Sequence, residues 1–387
     1  MHRRSFLQLL SATALTAAYV RPGRAAPSLD HVVVIGAGII GAATAYRLAR
    51  RGVRVTVLEK TAPASGATGD SFAYLNASTK PDRAYHQLNA LGIAGWHRLQ
   101  VELNGALPLR WGGAVYWRAD QAAARNLLST LRRCQEWGYA ARRIDETELR
   151  RLLPNVVPGP VASAVLYEQE GVVDPSGAVD VLLGEAKKLG ATVHFPVEVT
   201  GLDAAGDRIR GVRTSDGAIG ADAVVVAAGL GSEALVNVLG VKLPLVSSSG
   251  VLVHTEPQPP LLERAVFAPG STIKQDVSGH IVSSIGHEGS IPAGQASEQG
   301  KRILQSAARY FPGLQEARIA RVSEGRRVLP ADGFPVVGFA GKYTNLYIAV
   351  SHSGVTLAPV IAQFATQELL DGVAVEPLAP YRPSRFA

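Results

Sequence analysis

One short stretch near the start constrains this chain more than any other, a strand, a glycine-punctuated turn, a helix and a second strand in immediate succession. His31-Val32-Val33-Val34-Ile35 is a continuous apolar run of the kind buried on both faces in a parallel sheet. It leads straight into Gly36-Ala37-Gly38-Ile39-Ile40-Gly41. Residues 42–51 carry small and apolar side chains at helical spacing, including Ala45, Leu48 and Ala49, and stop at Gly52. A second strand is expected over 54–58, ending on Glu59. A complete βαβ unit within about 30 residues is the context that gives the GxGxxG spacing its meaning. Gly36 permits the tight turn, Gly38 lets backbone approach a pyrophosphate, and Gly41 lets helix and strand pack closely. The helix N-terminus presents free N–H groups and the positive dipole end to the phosphates. Glu59, eighteen positions after Gly41, is placed to accept from ribose hydroxyls. A carboxylate there disfavours a 2′-phosphate and argues against NADP, leaving NAD and FAD open.

Composition narrows the rest. With 387 residues, 47% of them hydrophobic, the chain is not disordered and can bury a large core, expected as two domains. The single cysteine, Cys134, excludes an internal disulfide scaffold and a zinc site built from cysteine clusters. The formal charge of +7 includes Arg3, Arg4, Arg21 and Arg24, all within the first 25 residues. What remains is too little and too scattered for a nucleic-acid footprint.

Those first residues have a pattern of their own. A basic start, Met1-His2-Arg3-Arg4-Ser5-Phe6-Leu7, precedes an uncharged, mostly apolar stretch over 5–20, then a small-x-small exit at Gly23-Arg24-Ala25. Sixteen residues fall short of a membrane span. The three-part order describes a removable export signal over 1–25, and Arg-Arg-x-Phe-Leu resembles its twin-arginine form; an amphipathic arm is the other reading. The twin-arginine route carries folded proteins, so it fits a cofactor inserted before export to the periplasm. A second uncharged stretch, 343–367, is interrupted by Ser351, His352, Ser353, Gly354 and Pro359, and is read as strand, turn and helix start, with no stable membrane span.

Three further segments decide between the dinucleotides. Residues 63–72 form a small-residue loop after the Glu59 strand; residues 221–229 form a buried strand ending in glycine. Near the end come Gly325-Arg326-Arg327-Val328-Leu329-Pro330-Ala331-Asp332-Gly333, a strand over 345–350, and Ser351-His352-Ser353-Gly354-Val355-Thr356. In this order the segments resemble the FAD-dependent D-amino-acid oxidase superfamily, which includes glycine oxidase, sarcosine oxidase and D-amino-acid dehydrogenases. The resemblance covers essentially the whole chain after the first residues. It implies an α/β plus α+β fold, a Rossmann-like FAD-binding domain (28–80, 160–240, 325–387) with a discontinuous antiparallel-sheet substrate domain (81–159, 241–324).

By the same resemblance, FAD would contact Ile39, Ile40, Lys60, Ala67, Thr68, Ser71, Val199, Ala228, Gly229, Gly354, Val355 and Thr356, beside Gly36, Gly38, Gly41 and Glu59. The absence of a match to tethering residues implies non-covalent FAD. The final helix, expected from Val355, would point its N-terminus at the flavin N1–C2 edge, where charge develops on reduction. Pro359 is expected in its first turn. Arg327 matches the family's carboxylate-clamping arginine, although Val328 stands where a proline is usual and Arg326 offers a second register; a structural salt bridge is the alternative. His352 could polarise the flavin or hold the turn. Tyr74 and Lys274, with Gln275 beside it, are candidate pocket residues; Tyr74 could equally be core. No metal site is expected. The implied chemistry is oxidation of the C–N bond of an amino acid or N-substituted amino acid, with oxygen or a quinone-linked carrier as acceptor. The same fold could take a 2-hydroxy acid or simple amine, or serve as a flavin-bound accessory protein.

Overall fold

The apolar run at 31–35 becomes the strand His31–Ile35, buried along its whole length. A computed structural model describes residues 29–286 and 294–387; the expected export signal lies outside them. This strand is central in a six-stranded sheet ordered Val336–Phe339, Leu346–Val350, Ala223–Val226, His31–Ile35, Arg54–Leu58, Thr192–His194. All neighbours are parallel except the first pair. Burial on both faces explains the unbroken apolar runs. Val32, Val34, Val57 and Val225 face a layer formed by the helices Ile39–Arg50, Pro175–Lys188 and Gly354–Asp371. Val33, Ile35, Val224 and Val226 face Leu202, Ile209 and Val212 of a small antiparallel sheet, Val199–Ala205, Arg208–Thr214 and Gly217–Gly220. The edge strand Thr192–His194 stops short of Pro196, which has no N–H to give a ladder.

A second sheet of eight strands runs Ile319–Pro330, Leu245–Pro257, His280–Ser284, Ser271–Gln275, Ala265–Ala268, Ala114–Arg118, Ser163–Tyr167, Ala141–Ile144. It is antiparallel as expected except where Ala265–Ala268 lies parallel to Ala114–Arg118. The expected domain boundaries shift at three places. Ser163–Tyr167 belongs to this sheet, although it follows residue 160. The strand Ile319–Pro330 runs through residue 325, joining the layers with continuous backbone. The helix Arg83–Glu102 docks on Gly354–Asp371 rather than on the eight-stranded sheet, because Gly92 and Gly95 let it approach Thr356 and Pro359.

The last helix carries a further correction. It opens at Gly354, so Pro359 stands beyond the first turn. The N–H that proline lacks would have met the carbonyl of Val355; that oxygen instead accepts from the Trp96 indole N–H at 2.9 Å. The stretch 343–367 is thus strand, turn and helix, and no helix among the described residues is long and apolar enough to cross a membrane.

Candidate functional site

The two sheets and their connecting loops surround one cavity of about 1570 Å³. The glycine turn forms one wall. At Gly36, φ is +101° and a Cβ would lie 2.5 Å from the Ala227 carbonyl oxygen, so this turn can carry no side chain. Gly41 does not line the cavity; a Cβ there would run into the Gly36 carbonyl, which is the close helix–strand packing expected of it. Gly36, Gly38, Ile39 and Ile40 all line the cavity. Glu59 is half-buried beside them, with Oε2 accepting from Ala37 N–H at 2.9 Å and Oε1 from Thr61 N–H at 3.0 Å. Oε1 also accepts from the Thr61 hydroxyl at 3.2 Å, so Oε2 is the oxygen that keeps a lone pair for a ribose hydroxyl.

Lys60, Ala67, Thr68, Ser71, Val199, Ala228, Gly229, Gly354, Val355 and Thr356 also line this cavity. Thr68 Oγ1 accepts from Ile39 N–H at 3.1 Å and fastens the small-residue loop to the first helix. Two helices present N-termini here with no cap from the residue before them: Gly38 before Ile39–Arg50, where Thr68 takes only the Ile39 N–H, and Ser353 before Gly354–Asp371; neither first turn holds an acid. Asp82, Asp120, Asp145 and Asp174 cap four other helices through their carboxylates. Two positively polarised helix ends meet at one cavity, Ile40 of the first lying 3.2 Å from where a Gly354 Cβ would stand, and they suit a ligand with a pyrophosphate and a second electron-rich group. The residues present therefore fit FAD.

The substrate-side expectations separate. Arg327 is half-buried at the cavity wall, its Nη1 3.3 Å from Ser248 Oγ, and its guanidinium lies across Gly250. Arg326, its neighbour on the strand, also lines the cavity but is exposed. Val328 prolongs the ladder opposite Ser247 and packs against the Gly229 turn, within 3.4 Å of where its Cβ would stand. His352 is exposed at the cavity edge. Tyr74 lines the cavity, and its hydroxyl donates to the buried carboxyl of Glu170. Lys274 lies behind the wall, 1% exposed, with Nζ donating to the Val173 carbonyl at 2.7 Å and sitting over the Phe72 ring. Burial lowers its ammonium to about 8. Gln275 holds the 258–262 loop, accepting from Leu261 and Leu262 N–H.

Several cavity residues have no counterpart among the sequence expectations. Lys80 is 7% exposed, donates from Nζ to Ser353 Oγ at 3.0 Å, and is lowered by burial to about 7. Tyr85 donates to the same Ser353 oxygen at 3.0 Å. Tyr116 stacks on Phe267 with ring centroids 4.0 Å apart, and Phe267 meets Tyr74 at 4.8 Å. Arg118 donates to the carbonyls of Trp117 and Phe267 and lies over the Tyr116 ring. Among the described residues, no cluster of His, Cys, Asp or Glu could hold a metal ion.

Fold and site together define a dinucleotide-binding oxidoreductase with a second, sheet-built wall closing over the reactive end. The chain belongs to the FAD dependent oxidoreductase family, which it matches over residues 31–368. It is 28% identical over 374 residues to a glycine oxidase of Pseudomonas aeruginosa, covering 92% of this chain and 99% of the relative. It is 26% identical to a D-amino acid dehydrogenase of Paramagnetospirillum magneticum, covering 90% and 99%. The crystal structure of glycine oxidase from Geobacillus kaustophilus superposes with a TM-score of 0.83 at 23% identity, over 92% of this chain and 98% of that one. The protein is thus an enzyme that uses FAD.

Proposed function

We infer that this enzyme oxidises the C–N bond of an amino acid or N-substituted amino acid. The observation that carries this reading is the placement of Arg327 on the same cavity as the glycine turn and the Gly354 helix N-terminus. FAD, when bound, supplies the acceptor for the hydride leaving the carbon that bears nitrogen, and water hydrolyses the imine product. The chain's own tasks are positional and electrostatic. The planar guanidinium fork of Arg327 suits a carboxylate, giving two parallel charge-assisted hydrogen bonds. The aromatic side chains of Phe72, Tyr74, Tyr116 and Phe267 form an apolar wall that excludes water from the carbon being oxidised. The bare helix end at Gly354, with Lys80 beside it, favours negative charge gathering at that end of the cavity. The relatives named glycine oxidase and D-amino acid dehydrogenase support an amine-bearing carboxylate as substrate.

Anaerobic mixing of the FAD-loaded enzyme with D- and L-amino acids, N-methyl amino acids, hydroxy acids and simple amines tests this. Amines that carry a carboxylate are expected to bleach the visible flavin band. Bleaching by hydroxy acids or simple amines alone would overturn the assignment. Readmitting air then assigns the acceptor, rapid recolouring meaning oxygen and persistent bleaching meaning a quinone-linked carrier. Acid precipitation is expected to release the flavin into the supernatant, as non-covalent FAD requires.

The reading extends to location. The basic start and apolar stretch within residues 1–25 support twin-arginine export to the periplasm. The double substitution Arg3→Lys, Arg4→Lys is expected to leave the full-length, flavin-loaded protein in the cytoplasm, where the wild type gives a shortened periplasmic form. Equal export of both forms would refute the twin-arginine assignment.

A further inference from the structure

Glu170 has no part in the chemistry described so far, yet it is among the most deeply placed acids in the protein. It is 0% exposed, and its carboxyl is held entirely by donors. Ala77 and Ser78 N–H donate to Oε1 at 3.0 and 2.9 Å, Tyr139 Oη lies 3.3 Å from the same oxygen, and the Tyr74 hydroxyl donates to Oε2. A buried carboxyl with no counter-ion is costly to keep. Burial raises Glu170 to about 8, the two backbone donors pulling the other way, and no cation contributes. One end of its network opens on the cavity: Tyr74 lines it, and Tyr116, another lining residue, places its hydroxyl 3.4 Å from that of Tyr74.

The inference rests on the functional reading above, since an amino acid arrives with its nitrogen protonated and hydride cannot leave until that nitrogen has a free electron pair. We propose that Tyr74 and Glu170 form the route by which the substrate ammonium loses its proton, with Tyr74 as the group in contact with substrate and Glu170 as the buried acceptor behind it. The step is a relay. One N–H bond of the ammonium breaks and its proton bonds to Tyr74 Oη. The proton Tyr74 already holds passes to the Glu170 carboxylate, which becomes a carboxylic acid. The nitrogen keeps the electron pair, and no oxidant is consumed. After product leaves, the proton returns along the same hydroxyl to the cavity.

The geometry suits transfer in this direction. Tyr74 donates inward to Glu170 and accepts from the Tyr116 hydroxyl at 3.4 Å, which leaves its oxygen one lone pair to receive a proton from the cavity side. The titratable groups around Glu170 do not compete for the role. Tyr74 and Tyr139 reach its carboxyl, Tyr116 reaches the Tyr74 hydroxyl and Tyr167 packs on Tyr116; Tyr116, Tyr139 and Tyr167 are raised by burial. Cys134, whose thiol donates to the Ser78 carbonyl, is raised to about 11. His86, against the Ala77 carbonyl, is lowered by burial, with Arg133 and Lys80 pushing the same way.

The sign follows from the relay. Glu170 accepts a proton only as carboxylate, so flavin reduction at saturating substrate rises with pH through the Glu170 ionisation. The test is the pH profile of anaerobic flavin reduction, measured by stopped flow for the wild type, Glu170→Gln and Tyr74→Phe, with two substrates whose amines differ in basicity. In the wild type the rising limb is expected at the same pH for both substrates. In each variant it is expected to move to the ionisation of the substrate amine itself, differing between the two, with reduction near neutrality slowed by about 10²-fold. Tyr74→Phe keeps the ring against Phe267 and removes only the hydroxyl, so it answers the question even where Glu170→Gln folds poorly. A wild-type limb that tracks the amine, or variants that keep the wild-type limb, would overturn the relay. Failure of every amine to reduce the flavin while a hydroxy acid does so overturns the functional reading, and the relay with it.

Discussion

Replacing Gly41 by Val is expected to yield protein that cannot retain FAD, with flavin occupancy after purification falling to a small fraction of wild type. The cause is steric and local. A Cβ at Gly41 would run into the Gly36 carbonyl oxygen, and the atoms in the way are backbone of the glycine turn itself, which cannot swing aside. The helix Ile39–Arg50 must then shift away from the strand His31–Ile35, taking with it the Ile40 N–H and the positive helix end that would hold the pyrophosphate. Overpacking of this kind costs about 1–3 kcal/mol and more where backbone is the obstacle; the share borne by FAD binding lowers affinity by up to about 10²-fold, and the rest lowers the stability of the fold. Gly52→Ala is the control. Gly52 also has a positive φ, +80°, but a Cβ there meets nothing within 4 Å. It is expected to lose about 1–2 kcal/mol of stability through backbone strain alone while keeping its flavin. The ratio of visible flavin absorbance to protein absorbance, with a urea melt for each variant, separates the two effects. Full flavin occupancy in Gly41→Val would show that the turn is not where the pyrophosphate binds.

That contrast between two glycines marks what the sequence could convey. The first βαβ unit was legible because each of its requirements is local: an apolar strand, a turn that needs φ > 0, a helix that needs a glycine against the strand, and an acid at a set distance. The Gly354 helix end was legible for the same reason, within one residue of where it was expected. What escaped depends on partners far apart in the chain. Lys80 reads as an ordinary polar residue ahead of the Asp82 cap; only the fold brings it against Ser353, 273 positions later. Glu170 sits between two short strands, and nothing nearby in sequence marks it as the acceptor for Tyr74, 96 positions earlier. Pro359 seemed to need the first turn of its helix because the Trp96 indole that takes its orphaned carbonyl comes from another helix. Lys274 fell outside the cavity because a strand shows its alternation but not which face will be covered; Phe72 stands in front of it. The domain boundaries shifted because sheet membership is decided by pairing, and Ser163–Tyr167 pairs with Ala114–Arg118 and Ala141–Ile144.

The remaining large effect is expected at Arg327. Arg326 and Arg327 both line the cavity, but as neighbours on a strand they point to opposite faces and reach it from different sides. Arg327 is the half-buried one, and its guanidinium occupies space across the ladder that Gly250 leaves open. Arg326 is exposed and its charge is screened by water. Arg327→Leu is therefore expected to lower kcat/KM for substrates with a carboxylate by about 10²–10³-fold, the range of about 2–5 kcal/mol found when one partner of a desolvated charge pair is removed. Arg327→Lys should recover only part of this, because an ammonium is a point charge without the planar fork. Arg326→Leu should change kcat/KM by only a few-fold. Gly250→Ala should copy part of the Arg327→Leu defect, since the added methyl takes the place of the guanidinium. The diagnostic comparison sets each amino acid beside its methyl ester. A carboxylate clamp makes wild type prefer the acid and abolishes that preference in Arg327→Leu. A structural role for Arg327, bracing Ser248 and the strand Leu245–Pro257, would instead lower activity on acid and ester alike, together with the melting temperature, and would return the clamp to Arg326 or to Arg118 on the facing wall.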